Sequence, residues 1–351
     1  MMQQWIGLAI GVILAWAVLR AILRWVRAME LRDRVILITG GSRGLGLVLA
    51  RFCLRAGAHV AICGRDGERL ERAREELERR ENELLAVRCD VAHPEEAQRL
   101  VEEVLNRFGR IDVLINNAGV LQVGPQETMT VADYEEAMGV HFWGPLHLIT
   151  RVVPEMRRQG EGRIVNIASL GGKISLPHML PYVASKFALA GFSQGLREEL
   201  RRDGILVTTV FPGLMNTGSP RNADFKGQHR KEYAWFSISD ALPGLSMPAE
   251  RAARQILWAC RNGDAQVILS MPAVLGIKLH ALFPVTAIRL LTFINRILPG
   301  PGGIGQRKAK GSASTSRFSP SWWTTLGDRA ASRNNENGHH PKKRREQRRP
   351  P

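Results

Sequence analysis

The chain is short of cysteine and short of acids. Its four cysteines, Cys53, Cys63, Cys89 and Cys260, show neither close pairing nor the spacing of a metal site. That argues against a disulfide-built scaffold and a zinc module, and it leaves buried thiols in a reducing compartment as the expectation. No metal site is expected. Acids number 33 against 49 lysines and arginines, for a formal net charge of +16. The imbalance is uneven: residues 302–351 hold 12 basic residues against Asp328, Glu336 and Glu346, so +9 sits there and +7 on everything else. Charge placed in this way describes a solvated segment drawn to anionic surfaces rather than a basic catalytic body. No basic surface interleaved with aromatics is visible, so no specific nucleic acid is expected as a partner.

Charge is also missing from Trp5 to Leu19, and no basic residue precedes this run. A cleaved signal peptide has its basic residues before the apolar core, whereas Arg20, Arg24 and Arg27 follow it here. The expectation is a retained single-pass anchor over residues 1–28, with membrane lipid as a partner and the rest of the chain on the cytoplasmic side.

Residues 31–270 alternate short β-branched runs with charged amphipathic segments. The runs are RVILITG, AHVAIC, LLAVRCD, IDVLIN, GRIVNIAS, ILVTTVFPG and AQVILS. Alternating strand and helix predicts one α/β domain, a doubly wound Rossmann-type sheet of seven parallel strands. A second apolar stretch, 271–299, carries only basic interruptions and reads either as a helical pair in a membrane interface or as a helix packed on the domain. Beyond Pro299 the composition turns to Gly, Pro, Ser, Asn and basic residues, and 300–351 reads as a disordered basic tail.

The first run leads into Gly40, Ser42, Arg43, Gly44, Leu45 and Gly46 before a helix begins. Gly40 suits a tight turn, Gly44 a close approach to phosphate and Gly46 close packing of helix on sheet, with the pyrophosphate on the helix N-terminus. The spacing is TGxxxGxG, and here the chain resembles the short-chain dehydrogenase/reductase family over roughly Asp33–Leu269. The resemblance implies that Asp90 and Val91 contact the adenine and that Asn117, Ala118 and Gly119 of the NNAG run shape the cofactor wall. It also implies that Pro212, Gly213 and Thr217 hold the carboxamide. At the tip of the second strand Cys63 and Gly64 stand where NAD enzymes often carry an acid, and Arg65 follows. With Arg43 this favours NADP(H), since guanidinium groups grip a 2′-phosphate. NAD(H) stays open if Asp66 takes the acid's place after a one-residue shift.

Ser169 is followed 13 residues later by Tyr182 and Lys186 in YVASK. Tyr and Lys at i and i+4 share a helix face, and an ammonium beside a phenol is expected to lower its pKa. The set matches the family's catalytic signature, which implies Tyr182 as general acid in reduction, Lys186 as its partner and as a ribose contact, and Ser169 as a donor to the substrate oxygen. Where many family members carry an asparagine that supports a water chain, this chain has His141. It is either a proton relay in itself or a satisfied semi-buried side chain. The function expected is an NADP(H)-dependent oxidoreductase interconverting a ketone and a secondary alcohol on a lipophilic substrate, lipid-, steroid- or ketosphinganine-like. The alternative is a dinucleotide-binding, redox-responsive membrane scaffold with little turnover. Phe225, Tyr233, Trp235, Phe236 and Leu242 would form the substrate lid or a dimer contact, and family members are often homo-oligomers.

Overall fold

The structure is a computed structural model that describes residues 26–78, 84–316, 319, 321 and 324–337, with scattered positions between 4 and 24. Seven strands form one sheet: β1 (Val35–Thr39), β2 (His59–Gly64), β3 (Leu84–Arg88), β4 (Val113–Asn116), β5 (Gly162–Ile167), β6 (Ile205–Pro212) and β7 (Gln266–Leu269). All neighbours pair in parallel, in the order β7-β6-β5-β4-β1-β2-β3. The order runs back through β2 and β3 on one side of β1 and forward from β4 on the other. A crevice at the carboxyl ends of β1 and β4 follows from this reversal.

The helices are α1 (Gly44–Arg55), α2 (Gly67–Glu78), α3 (Pro94–Phe108), α4 (Val131–Met138), α5 (Gly144–Gln159), α6 (Leu180–Leu200), α7 (His229–Ala241), α8 (Ala249–Arg261), α9 (Met271–Leu282), α10 (Pro284–Ile297) and α11 (Thr325–Arg333). Side chains alternate across the sheet, so each strand feeds two cores. Ile36 and Ile38 point into a core with Leu47 of α1, Leu77 of α2 and Ile256 of α8. Leu37 points the other way, to Leu100 of α3, Leu148 and Val152 of α5 and Leu200 of α6. Both faces are covered, which is why the strands read as unbroken apolar runs. All four cysteines are buried free thiols.

The apolar stretch 5–19 lies largely outside the described residues. Among the described residues no single helix is long and apolar enough to cross a membrane. Helices α9 and α10 reach the required length only together, bent by 120° at Phe283.

The expected disordered tail is corrected over its first part. Ala309–Lys310 pairs antiparallel with Asp224–Phe225, which in turn pairs with Gln122–Val123. Helix α11 follows, and its Ala330 and Ala331 are fully buried. A side chain at Gly218 would stand 2.4 Å from the Cα of Ala331, so this helix rests on the β6–α7 connection at backbone distance. Small residues, rather than large apolar ones, order the segment. Residues 338–351 lie outside the described residues.

Candidate active site

The glycine turn is shaped as its spacing predicts. Gly40 sits at φ +64°, and a Cβ there would stand 2.9 Å from the Cα of Ala118. A Cβ on Gly46 would lie 2.2 Å from the Gly40 carbonyl oxygen, so α1 starts in direct contact with the end of β1. Thr39 ties this turn to the NNAG run: its Oγ1 accepts from the amides of Asn117 at 2.9 Å and Ala118 at 3.0 Å. The Asn117 amide group donates back to the carbonyls of Thr39 and Gly40. The glycine turn and the NNAG run are therefore one hydrogen-bonded unit at the ends of β1 and β4. Thr39 opens the TGxxxGxG run, but its part in tying the turn to the NNAG run was not read from the sequence.

At the outer end of the crevice, Ser42 packs beneath Gly64, whose added Cβ would approach the serine Oγ to 2.9 Å. Arg65 is exposed and pairs with Asp90 at 3.5 Å. They line a cleft of about 620 Å³ with Arg88, His93, Glu96 and Arg99. The Asp90 amide donates to Glu96 at 2.9 Å, and Val91 packs against Gly144. Asp66 is turned away: it accepts from the Arg69 amide at 3.1 Å and pairs with the Arg69 guanidinium at 3.1 Å, serving the first turn of α2.

At the other end, Pro212 closes β6, and Gly213 lies against Ser270, whose Oγ would stand 2.9 Å from a Cβ there. Thr217 is buried, with its Oγ1 accepting from the Ser219 amide at 3.2 Å. These residues fit a dinucleotide, because every place that must admit backbone-close phosphate carries glycine and leads into the positive end of α1. The structure itself sets an anion there. The Glu336 carboxylate pairs with Arg43, and its Oε1 would be 2.6 Å from a Cβ on Gly44.

The catalytic candidates converge beside the carboxyl ends of β5 and β6. Ser169 and Tyr182 both flank Gly171, whose added Cβ would lie 3.5 Å from the serine Oγ and 3.3 Å from the tyrosine ring. The Ser169 Oγ accepts from the Gly171 amide at 3.0 Å, which leaves its own hydrogen to donate elsewhere. Lys186, one turn further along α6, is buried, and its ammonium donates to the Ile167 carbonyl at 2.8 Å. Its Nζ lies 5.7 Å from the centre of the Tyr182 ring. Burial alone lowers Lys186 to about 7. Burial likewise raises Tyr182 above the usual phenol value, against a smaller opposing pull from the Ser169 hydroxyl. This differs from the expectation that the lysine would depress the phenol: burial, which disfavours the phenolate, sets the direction.

His141 lies in a five-residue π-helical turn, Gly139–Trp143, between α4 and α5. Its Nε2 accepts from the Val120 amide at 3.1 Å, so the proton sits on Nδ1 and is donated to the Ser185 Oγ at 2.7 Å. Ser185 in turn donates to the Tyr182 carbonyl at 2.8 Å. The ring stands edge-on to Tyr182, 5.4 Å between centres. Burial, and then the Lys186 charge, hold it well below 6.5 and therefore neutral. With both nitrogens engaged there is no free one to relay a proton. Of the two readings of His141, the geometry carries the satisfied side chain, acting as a strut between the NNAG run and the backbone of Tyr182. A second strut, also without a motif, is Asn166: it accepts from Asn116 at 2.8 Å and donates to Ser193 at 2.7 Å, clamping α6 to the sheet.

The aromatics expected to form a lid are mostly built in. Phe225, Tyr233 and Phe236 are buried with Val123, Met179 and Val183, while Leu121, Leu176, Trp235 and Tyr182 lie partly buried against them. Leu242 is half-buried just beyond α7. A buried ring is no dimer contact, so that alternative falls for the first three.

Comparison with known proteins agrees with this arrangement. The family model described as short chain dehydrogenase matches residues 34–226. Dehydrogenase/reductase SDR family member 7B of Danio rerio is 32% identical over 83% of this chain and 96% of its own. An uncharacterised oxidoreductase of Bacillus subtilis is 31% identical over 76% of this chain and 73% of its own. Among solved structures, a short-chain dehydrogenase from Streptomyces avermitilis matches with a TM-score of 0.63 and 30% identity, covering 75% of this chain and 99% of that one. The L-sorbose reductase of Gluconobacter frateurii, complexed with NADPH and L-sorbose, matches with a TM-score of 0.61 and 27% identity, over 69% and 97%. With its sheet, its glycine turn and its Ser169, Tyr182 and Lys186, the chain belongs to the short-chain dehydrogenase/reductase family, oxidoreductases that act on CH–OH or carbonyl groups.

Proposed function

We propose that the protein interconverts a ketone and a secondary alcohol on a lipophilic substrate, uses NADP(H), and works at a membrane surface. The observation that carries the chemistry is the cluster of Ser169, Tyr182 and Lys186, with a phenol that keeps its proton at neutral pH. When bound, the reduced nicotinamide supplies the hydride. Tyr182 gives its proton to the carbonyl oxygen, and the Ser169 hydroxyl, which accepts from the Gly171 amide and keeps its own hydrogen to give, donates to the same oxygen as charge builds. Lys186 holds positive charge behind the phenol and is anchored by the Ile167 carbonyl. Gly40, Gly44 and Gly46 would admit the pyrophosphate to α1, and Pro212, Gly213 and Thr217 would hold the carboxamide.

NADP(H) is favoured because the tip of β2 is Cys63 and Gly64, with Arg43 and Arg65 near and Asp66 engaged by Arg69. The neighbouring solved reductase complexed with NADPH supports the same choice. A lipophilic substrate is favoured by the apolar residues around Tyr182. Oxidation of NADPH and NADH by the full chain in detergent, over methyl ketones of rising alkyl length, tests both parts. NADPH should be preferred at least about tenfold, as expected of a charge-assisted phosphate grip. The specificity constant should rise up to about fourfold per methylene, following the transfer free energy of CH₂. A preference for NADH would remove the role given to Arg43 and Arg65. Cofactor binding without reduction of any ketone would favour the scaffold alternative.

The membrane contact we propose is the hairpin of α9 and α10. Helix α10 buries no residue and α9 buries Ala273, whereas Leu275, Leu282, Phe283, Ile288, Phe293 and Ile297 are exposed. No acid lies between Asp264 and Asp328, while Lys278, Arg289, Arg296 and Arg307 do. Apolar chains with basic flanks suit the headgroup layer of an anionic bilayer. The full chain should float with phosphatidylcholine–phosphatidylserine vesicles, and the joint exchange Leu275→Asp, Leu282→Asp, Ile288→Asp and Phe293→Asp should reduce flotation at least tenfold, by about the cost of holding a charge in lipid. Undiminished flotation of that variant would move the contact away from this hairpin.

A further inference from the structure

The end of the described chain is folded into the groups that bind phosphate in the reading above. After α11 the backbone turns through Asn335, at φ 55°, and lays Asn334, Asn335 and Glu336 across the glycine turn. The Gly44 amide, the first N–H of α1, donates to the Asn334 carbonyl at 2.8 Å. The Glu336 carboxylate takes Arg43 and the Asn222 amide group. Asn335 donates to the carbonyls of Ser42 at 2.8 Å and Arg69 at 2.9 Å, and accepts from Arg72 at 3.1 Å. Arg51 donates to the Arg333 carbonyl at 2.6 Å and to the Asn334 side chain at 3.2 Å. Asn334 is fully buried and Glu336 is 2% exposed.

An anionic side chain with almost no exposure, matched to a helix N-terminus and a guanidinium, is an intramolecular anion in an anion site. Two groups that the segment engages, the Gly44 amide through the Asn334 carbonyl and Arg43 through the Glu336 carboxylate, are also those assigned to the pyrophosphate and the 2′-phosphate. One set of donors cannot serve this segment and the cofactor phosphates at once. We infer that Asn334–Glu336 is an autoinhibitory plug that occupies the phosphate cradle and must leave it before the dinucleotide binds. The inference rests on the dinucleotide site proposed above. It gives the affinity for cofactor a built-in competitor: the apparent Kd is the intrinsic one divided by the fraction of molecules with the cradle free. The segment is suited to release. Its hold is polar and local, and the backbone on its far side is anchored separately through Ala330, Ala331 and the Arg221–Asp328 pair at 3.2 Å, so the last turn is able to open without unfolding α11.

The test uses the full chain and its Glu336→Gln variant, which keeps the side chain's size and removes its charge. NADPH binding is followed by calorimetry. Amide exchange over residues 325–337 of the unaltered chain is followed with NADPH and, separately, with inorganic pyrophosphate. The plug requires Glu336→Gln to bind NADPH at least about fivefold more tightly, the lower end of usual coupling between two occupants of one protein. It also requires exchange at 334–337 to speed up on adding either ligand. Equal or weaker binding by the variant would overturn the inference, and so would slower exchange over 334–337 with NADPH, which would make the segment a strap held over the bound cofactor. The exchange measurement needs no variant and decides the question even if Glu336→Gln folds poorly. Failure of both proteins to bind NADPH or NADH would instead defeat the dinucleotide reading itself, and the plug with it.

Discussion

Tyr182→Phe is expected to lower kcat for ketone reduction by about 10³-fold, the middle of the range for losing a positioned general acid, while leaving NADPH affinity and the melting temperature nearly unchanged. The phenyl ring retains what holds Tyr182 in place: its packing against the cluster that includes Met179, Val183 and Phe236, and the edge-on contact with His141. What goes is the hydroxyl beside Ser169. The backbone carbonyl of residue 182 still receives Ser185, so the helix keeps its register against the NNAG run. Single-turnover measurement with excess enzyme isolates the chemical step, and a loss of less than tenfold there would show that another group delivers the proton. The pH dependence of the unaltered enzyme provides a second check with a definite sign. Burial raises Tyr182, so the donor stays protonated through neutrality and beyond; burial lowers Lys186 to about 7, so its positive charge is the first to be lost as pH rises. Reduction should therefore be steady on the acid side of neutrality and decline above it, and the decline should track Lys186.

The parts of this site that were legible in the sequence are those whose chemistry is local. Gly40, Gly44 and Gly46 lie within one turn, and Tyr182 and Lys186 lie on one helix face. Spacing alone therefore fixes their relation. The seven strands were legible for a related reason. Helices cover both faces of the sheet, so β1 reads as VILIT and β6 as ILVTTVFP, with every residue buried. What was not legible depends on partners far along the chain. Thr39 becomes a structural hub only because Asn117 and Ala118 arrive from β4. The choice between the two readings of His141 turned on Val120 and Ser185, one before it and one on α6. The tail is the largest departure. Its composition of small and basic residues carries no apolar period, yet it is ordered by close backbone approach at Gly218 and by polar contacts of Asn334, Asn335 and Glu336. Glu336, an isolated acid in a basic stretch, was the signal available, and it points to the one anion-binding turn identified in the sequence.

Gly46→Ala should disable cofactor binding more completely than the loss of any single contact to the phosphates. The added methyl would lie 2.2 Å from the Gly40 carbonyl oxygen, 2.9 Å from its carbon and 2.6 Å from the Asn117 side-chain nitrogen. None of these is a flexible chain end. The Gly40 carbonyl and Asn117 are hydrogen-bonded to each other, and Asn117 is bound again to Thr39. Relief requires the first turn of α1 to retreat by roughly 1 Å, since carbon and oxygen do not approach much below about 3.2 Å without strain, and overpacking of this kind costs about 1–3 kcal/mol. In a domain of this size that is a fall in Tm of roughly 2–12 °C. The functional loss is larger, because the displaced turn carries the N–H groups that receive the phosphates. A misplacement of about 1 Å in a preorganised site is worth about 10²-fold, and NADPH affinity should fall by about that factor. The same exchange at Gly195, on α6, serves as the control. Nothing lies within 4 Å of the methyl it would add, so Gly195→Ala should raise stability by up to about 1 kcal/mol through helix propensity. Binding by Gly46→Ala within threefold of the unaltered chain would mean that the turn yields without moving α1, and the phosphates would then have to be held by side chains rather than by the helix end.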